Sequence, residues 1–215
     1  MDFENIYQSR KHILKMLKMR GYDTQKYENQ NREEMMILFQ NRDKKATTIQ
    51  DTLDILIEGE NNKIFVKYIL NEKTRSNLIE KNIENYYYND LFLEKNDVCI
   101  FITKDKVTYK GRLENYINNL YSADKIFCQV IWLNSMLFDM TENKLVPKYK
   151  ILDEEEKQSV IKKFNINSDN DFPNILINDP LAVFYGLKIN QVVEISYSSK
   201  TNGFSTFYRL CISGI

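Results

Sequence analysis

INDPLAVFYGLKINQVVEI, residues 177–195, decides how this chain is read. Asp179 has a side chain that accepts from the free N–H groups of a helix start, and Pro180 has the φ its first turn requires. Gly186 stops the helix after barely two turns, because glycine takes the left-handed conformation without a steric penalty. A Val-rich strand follows at once. The unit is a rigid corner that aims the next strand. It is not a phosphate cradle: the chain has only six glycines, and neither GxGxxG nor GxxxxGK[ST] occurs. By itself the corner specifies a compact docking module.

Outward from it, QVVEISY and TFYRLCI alternate as an antiparallel pair of strands around SSKTNG. Upstream, Asp153 and Glu156 form a capping box for EEEKQSVIKKF, whose Val160, Ile161 and Phe164 are expected to face inward. NINSDNDFP between them is a polar loop. LVPKYKI (145–151) contains Pro147, which confines it to a sheet edge. These elements predict a small α+β domain over residues 143–215.

Residues 1–142 have a different rhythm. FENIYQSRKHILKMLKMRGY is an amphipathic helix with Ile6, Ile13, Leu14 and Leu17 on one face, and Gly21 is its stop. Lys11, Lys15 and Lys18 form a stripe on another face, which reads as solvated, or alternatively as facing phosphate. NREEMMILFQ is a weaker helix. TTIQDTLDILIEGENNKIFVKYIL is a hairpin turning over Gly59 to Asn62. A helix from Thr74 to Tyr88 buries Leu78, Ile79, Ile83 and Tyr86, and VCIFI (98–102) is a buried strand. Thr108 is read as the cap of YKGRLENYINNLY, with Leu113, Tyr116, Ile117 and Leu120 inward. IFCQVIW (126–132) is a further buried strand. Strands alternating with helices predict an α/β domain.

The chain has 215 residues, 43% of them hydrophobic, with 30 basic and 30 acidic side chains. That is enough apolar residue for a core, and zero net charge excludes phosphate neutralisation as the main task. The balance is local as well: 21 basic and 22 acidic residues precede position 143, and 9 and 8 follow. Cys99, Cys128 and Cys211 lie in apolar runs without a CxxC pair, which implies small buried hydrophobes in a reducing compartment. No apolar run approaches the roughly 20 residues of a membrane span, and a secretory signal pattern is absent.

Catalytic constellations are scarce. His12 is the only histidine, so neither a Ser-His-Asp triad nor a His-ligated metal is supported, and no cofactor is expected. Asp54 and Lys67, thirteen residues apart, sit where nucleases of the PD-(D/E)xK type hold Mg²⁺ and activate water. The second carboxylate is missing here, because Phe65-Val66-Lys67 replaces (D/E)xK, and Glu58 or Glu60 lies in or beside the turn. A nuclease-like fold without the activity is expected, and a stand-alone nuclease or nuclease-derived DNA-binding protein is the alternative.

LVPKYKILDEEEKQSVIKKF, FPNI, NDPLAVFYGLKINQVVEI and SKTNGFSTFYR follow one another as one motif series. The series resembles the C-terminal domain of the fifth-largest common subunit of eukaryotic nuclear RNA polymerases, a domain that stands alone in the archaeal members. That family has approximately LVPxH, EEK, LPRI, DPVARYYGLKxGQVVKI and SETxGRYxxYR. Weaker similarity runs forward through NSMLFDMTEN, VCIFITKDKVTYKGRL and LKMRGY, as in the two-domain eukaryotic form. The departures remove basic character: Tyr149, Asn174, Val183, Asn190, Glu194 and Phe204 stand where the family has other residues. Pro147, Asp179, Pro180, Gly186, Gly203 and Tyr208 are retained. A divergent polymerase, such as that of a large DNA virus, would fit this drift.

The resemblance implies a non-catalytic polymerase subunit made of a restriction-endonuclease-like, inactive jaw domain and an assembly domain. Its implied partners are the largest subunit, neighbouring small subunits and, weakly and without sequence preference, downstream duplex DNA. Its implied location is the nucleus for a cellular polymerase, or a virion or viral factory for a viral one. Docking is expected through Pro147, Asp179, Pro180, Tyr185, Gly186, Gly203, Tyr208 and Arg209, with Arg209 expected to meet a carboxylate, either within the chain or across that interface. DNA is expected near Thr108, Tyr109, Lys110 and Arg112, at the N-terminus of their helix.

Overall fold

The structure is a computed structural model that describes residues 2–41, 52–70, 75–106, 111–199 and 203–214. It divides into two compact units, Met1–Phe138 and Asp139–Ile215, a boundary slightly earlier than the cut after residue 142 drawn from sequence.

The first unit is built on a four-stranded sheet in the order β1-β2-β3-β4. Strand β1 (Ile55–Glu58) is antiparallel to β2 (Lys63–Ile69), and β3 (Val98–Thr103) and β4 (Phe127–Trp132) continue in parallel. The hairpin closes through Gly59 N–H donating to Asn62 O at 2.8 Å. A Cβ on Gly59 would meet that carbonyl at 2.8 Å, so the turn requires glycine. Every residue of β3 is buried, as a strand flanked on both sides and covered on both faces must be.

Parallel pairing needs crossovers, and helices supply them. Helix α4 (Ser76–Glu84) joins β2 to β3, and α5 (Arg112–Asp124) joins β3 to β4. Ile79, Ile83, Leu113 and Ile117 from these helices pack on Phe65, Cys99, Phe101 and Cys128 of the sheet. Two expectations are corrected here. The helix expected to run to Tyr88 is α-helical only to Glu84 and then widens into a π turn, Asn85–Asn89, which carries Tyr86 and Tyr87 inward. The second helix starts at Arg112 rather than at Tyr109, because Gly111 takes φ 110° and serves as its N-cap. Thr108, Tyr109 and Lys110 lie outside the described residues, as does Thr74.

Helix α1 (Phe3–Met19) buries Ile6, Ile13, Leu14, Met16 and Leu17 and is followed by Gly21 at φ 91°. It packs against α2 (Gln25–Glu28), α3 (Arg32–Asn41) and the turn Leu133–Met136. His12 Nδ1 lies 2.8 Å from Met136 O, so the only histidine ties a helix to that turn.

The second unit is a four-stranded sheet in the order β5-β7-β8-β6. Strand β5 (Lys148–Ile151) occupies the edge, one residue after Pro147, and is antiparallel to β7 (Val192–Ser199). Strand β8 (Gly203–Ile212) pairs antiparallel with β7 and parallel with β6 (Asn174–Leu176). The period-2 alternation assigns each strand residue to a face. On one face Ile175, Val193, Ile195 and Cys211 pack with Ala182 and Leu187 of the corner containing α7 (Pro180–Tyr185). On the other, Val192 and Leu210 pack with Val160 and Ile161 of α6 (Glu154–Phe164).

The capping box of α6 is present, with Asp153 accepting from Glu156 N–H at 2.8 Å and Glu156 accepting from Asp153 N–H. Phe164 is not inward: it is 53% exposed at the last helical position, with its ring 5.7 Å from that of Tyr208. Lys157, one turn before Ile161, is buried instead and donates to Asp169 at 2.7 Å.

Candidate docking surface

The corner at 177–195 forms as its residues dictate. Asp179 accepts from Leu181 N–H at 2.9 Å and Ala182 N–H at 3.4 Å, Pro180 opens α7, and Gly186 closes it at φ 71°. Helix α7 so fixed presents Tyr185, whose ring stacks on Tyr149 of β5 at 5.3 Å with 13° between planes. Tyr149 has its hydroxyl pKa pushed up to about 12, chiefly by burial and then by the nearby Asp179 carboxylate. Tyr149 thus joins β5, α7 and the neighbourhood of Arg209 and Tyr197 in one cluster.

Strand register extends that face. Ile195 stands opposite Phe207, Val193 opposite Arg209, and Tyr197 opposite Ser205. Beyond the corner the face is uncovered: Tyr197 and Phe207 pack edge to face at 5.6 Å, yet remain 41% and 54% exposed. Arg209 lies beside them, exposed, and donates to the Asn174 carbonyl at 2.9 Å. Within the chain this bond goes to a main-chain oxygen, which ties β8 to β6 and keeps a cation two residues along the strand face from Phe207.

Pro147 precedes the edge strand, Gly203 opens β8 at φ 69°, and Tyr208 points to the opposite face, where its hydroxyl donates to Glu194 at 3.1 Å. The structure brings Tyr185, Asp179 and Arg209 to one face and leaves Tyr208 on the other. Sequence reasoning missed Tyr197 and Phe207, although the period-2 continuation from Val193 and Arg209 carries both.

In the first unit the polar pair that the sequence singles out is closed on itself. Asp54 is 5% exposed and its carboxylate is fully engaged, accepting from Lys67 Nζ at 2.6 Å and from Tyr68 N–H at 3.0 Å. Glu58 and Glu60 are exposed and Glu58 is opposite Lys63, so neither supplies a second carboxylate to Asp54. Among the described residues no group of three or more His, Cys, Asp and Glu is placed to hold a metal ion. Arg112 makes a two-pronged bond to Glu80, at 3.1 and 2.7 Å, while its side chain stays 71% exposed. Among the described residues no helix is long and apolar enough to cross a membrane.

The chain thus joins a small α+β unit with an uncovered aromatic strip to an α/β unit whose polar pair is closed on itself. Residues 138–211 match the family model described as RNA polymerase Rpb5, C-terminal domain. DNA-directed RNA polymerase subunit Rpo5 of Thermococcus onnurineus (strain NA1) is 39% identical over 75 residues, which are 35% of this chain and 90% of that protein. DNA-directed RNA polymerase subunit 5-like protein 1 of Arabidopsis thaliana is 28% identical over 215 residues, covering 98% of this chain and 97% of its own. The Dictyostelium discoideum protein named DNA-directed RNA polymerases I, II, and III subunit rpabc1 is 26% identical, with 98% and 99% covered. The chain belongs to the RNA polymerase subunit 5 family. It is a non-catalytic subunit of DNA-directed RNA polymerase, a protein of transcription and not an enzyme in itself, and its partners are other polymerase subunits.

Proposed function

We propose that the second unit docks this chain on the largest polymerase subunit and on neighbouring small subunits, while the first acts as a jaw beside downstream DNA. The observation that carries the docking assignment is the strip of Tyr197, Phe207 and Arg209. Exposed aromatic residues beside an arginine are the composition of interface hot spots. The strip is also pre-ordered by the β7–β8 pairing and by its own ring contact, so little conformational entropy is lost when a partner covers it.

The jaw reading is supported by the mixed sheet with crossover helices and by the Asp54–Lys67 pair, a nuclease-like arrangement with its metal chemistry gone. Contact with DNA by this unit is weak and independent of sequence, in keeping with its balanced charge. The subunit acts where transcription takes place, which for a cellular polymerase is the nucleus.

Affinity purification of a tagged chain from its source tests the assignment. The intact chain is expected with two very large polymerase subunits. Removing residues 143–215 abolishes their recovery, and removing the first unit leaves it intact. Tyr197→Ser with Phe207→Ser lowers retention about 30-fold, the equivalent of about 2 kcal/mol from one hot spot. Recovery lost only on removal of the first unit refutes the division of roles, and a chain recovered alone that cuts DNA with Mg²⁺ returns the nuclease reading.

A further inference from the structure

The lysine stripe of α1 lines a groove between that helix and the α2–α3 segment, with a volume of about 420 Å³. Leu14 and Met35 form its floor, 5% and 1% exposed. Tyr7 and Tyr27 line it as well, so its inner surface is apolar and aromatic. Lys11, Lys15 and Lys18 lie along one side at i, i+4 and i+7, and the ammonium of Lys11 sits 4.5 Å from the Tyr7 ring centre. Glu28 is the only carboxylate of the lining, and it accepts from Lys18 at 3.4 Å.

The base of the groove is a buried cation. Arg10 is 3% exposed, with one terminal nitrogen on the Leu53 carbonyl and the other on Gln30 Oε1 at 3.0 Å. Its Nε has no hydrogen-bond partner among the described residues. A buried cationic group with an unused donor favours an anionic neighbour, since an unmet buried donor is costly.

We propose that this groove binds an acidic polypeptide segment carrying an apolar anchor residue, supplied by a protein that associates with the polymerase. The lysine side complements Asp and Glu, and the floor of Leu14 and Met35 takes the anchor. Such pairing of a charged rim with an apolar pocket is a recurrent way of recognising short peptides. Nucleic acid fits less well. Residues before position 143 include 21 basic and 22 acidic side chains, so there is no wide positive field to track a phosphate backbone. The proposal is independent of how the second unit docks.

The test uses the full chain and a fluorescein-labelled synthetic peptide of Asp and Glu with one Phe and one Leu. Fluorescence anisotropy is expected to show saturable binding that weakens with added salt. A peptide with Ser at the Phe and Leu positions is expected to bind about 10-fold more weakly, and Lys11→Gln with Lys15→Gln is expected to weaken the intact peptide by a similar factor. The methyl NMR signals of Leu14 and Met35 are expected to shift on titration, a readout that does not depend on any substitution being tolerated. Unmoved methyl signals overturn the proposal, as does equal binding of the Ser-containing peptide. A single-stranded oligonucleotide that binds more tightly than the peptide, with loss in the same double variant, reassigns the groove to nucleic acid. A dimer in sedimentation that the double variant dissolves reassigns it to a second copy of this chain.

Discussion

Replacing Lys67 by Met separates a structural ion pair from the remnant of a reaction centre. Asp54 is almost fully buried and its carboxylate has two donors, Lys67 Nζ at 2.6 Å and Tyr68 N–H at 3.0 Å. Removing the lysine leaves a buried carboxylate with one hydrogen bond and no countercharge, a change that costs about 3 kcal/mol or more. Asp54→Ala removes the charge but strands the Tyr68 N–H, and Lys67, whose side chain is 30% exposed, can turn to water, so the cost is about 2 kcal/mol. Asp54→Asn keeps an acceptor for Tyr68 and costs about 1 kcal/mol. The expected order of destabilisation is therefore Lys67→Met, Asp54→Ala, Asp54→Asn. Trp132, the only tryptophan, lies on β4 of the first unit, so its fluorescence during urea unfolding follows that unit alone. A midpoint unchanged in Lys67→Met refutes the structural account. Mg²⁺-dependent DNA cleavage lost in a stable Asp54→Ala variant would establish chemistry at the pair.

Four further outcomes are expected. Burial pushes the Cys128 and Cys211 thiols up to about 12 and raises Cys99, so at about pH 8 only about one in ten thousand of the two is thiolate. Native chain is expected to leave a disulfide reagent unreacted until denaturant exposes all three thiols. The same shifts make the folded chain hold more protons than the unfolded chain between about pH 9 and 12, so stability is full below that window and falls through it; urea midpoints across that range check the sign. Gly186→Ala, at φ 71°, is expected to cost about 1 kcal/mol and to lower retention on the polymerase by loosening the Tyr185–Tyr149 stack, measured by unfolding and by co-purification. Arg112→Ala leaves Glu80, whose side chain is 10% exposed, without its two-pronged partner; it is expected to lower the Trp132-reported stability by about 1–2 kcal/mol, with little change in DNA affinity.

What could be read directly from sequence was chemistry that acts over a few residues. The α7 corner, the Asp153–Glu156 box and the edge strand after Pro147 depend on caps and on a missing N–H, and all three stand as read. The start of α5 was misplaced because threonine is the commoner cap, whereas the chain uses Gly111 at a φ that only glycine takes easily. Helical periodicity places Phe164 inward, but it is 53% exposed with its ring against Tyr208, while Ile161 and Ile166 fill the cluster beside it. Tyr197 and Phe207 escaped notice because alternation assigns a face without saying how far the covering helix reaches. The groove along α1 needed three helices brought together, which no single stretch of sequence encodes. The polymerase resemblance, by contrast, rested on the retained turn residues and survived the loss of the basic ones.

Strand β8 comes after every other strand of the second unit, yet it lies between β7 and β6 and hydrogen-bonds to both. A polypeptide interrupted before residue 203 therefore has no sheet to show for the elements already made: β6 has no neighbour, and β7 keeps only the edge strand β5. Such fragments expose unpaired strand edges and become targets for aggregation or degradation. They lack Phe207 and Arg209 as well as the support beneath Tyr197. A central β8 makes the sheet all or nothing, because β6 and β7 gain or lose their shared neighbour in one step.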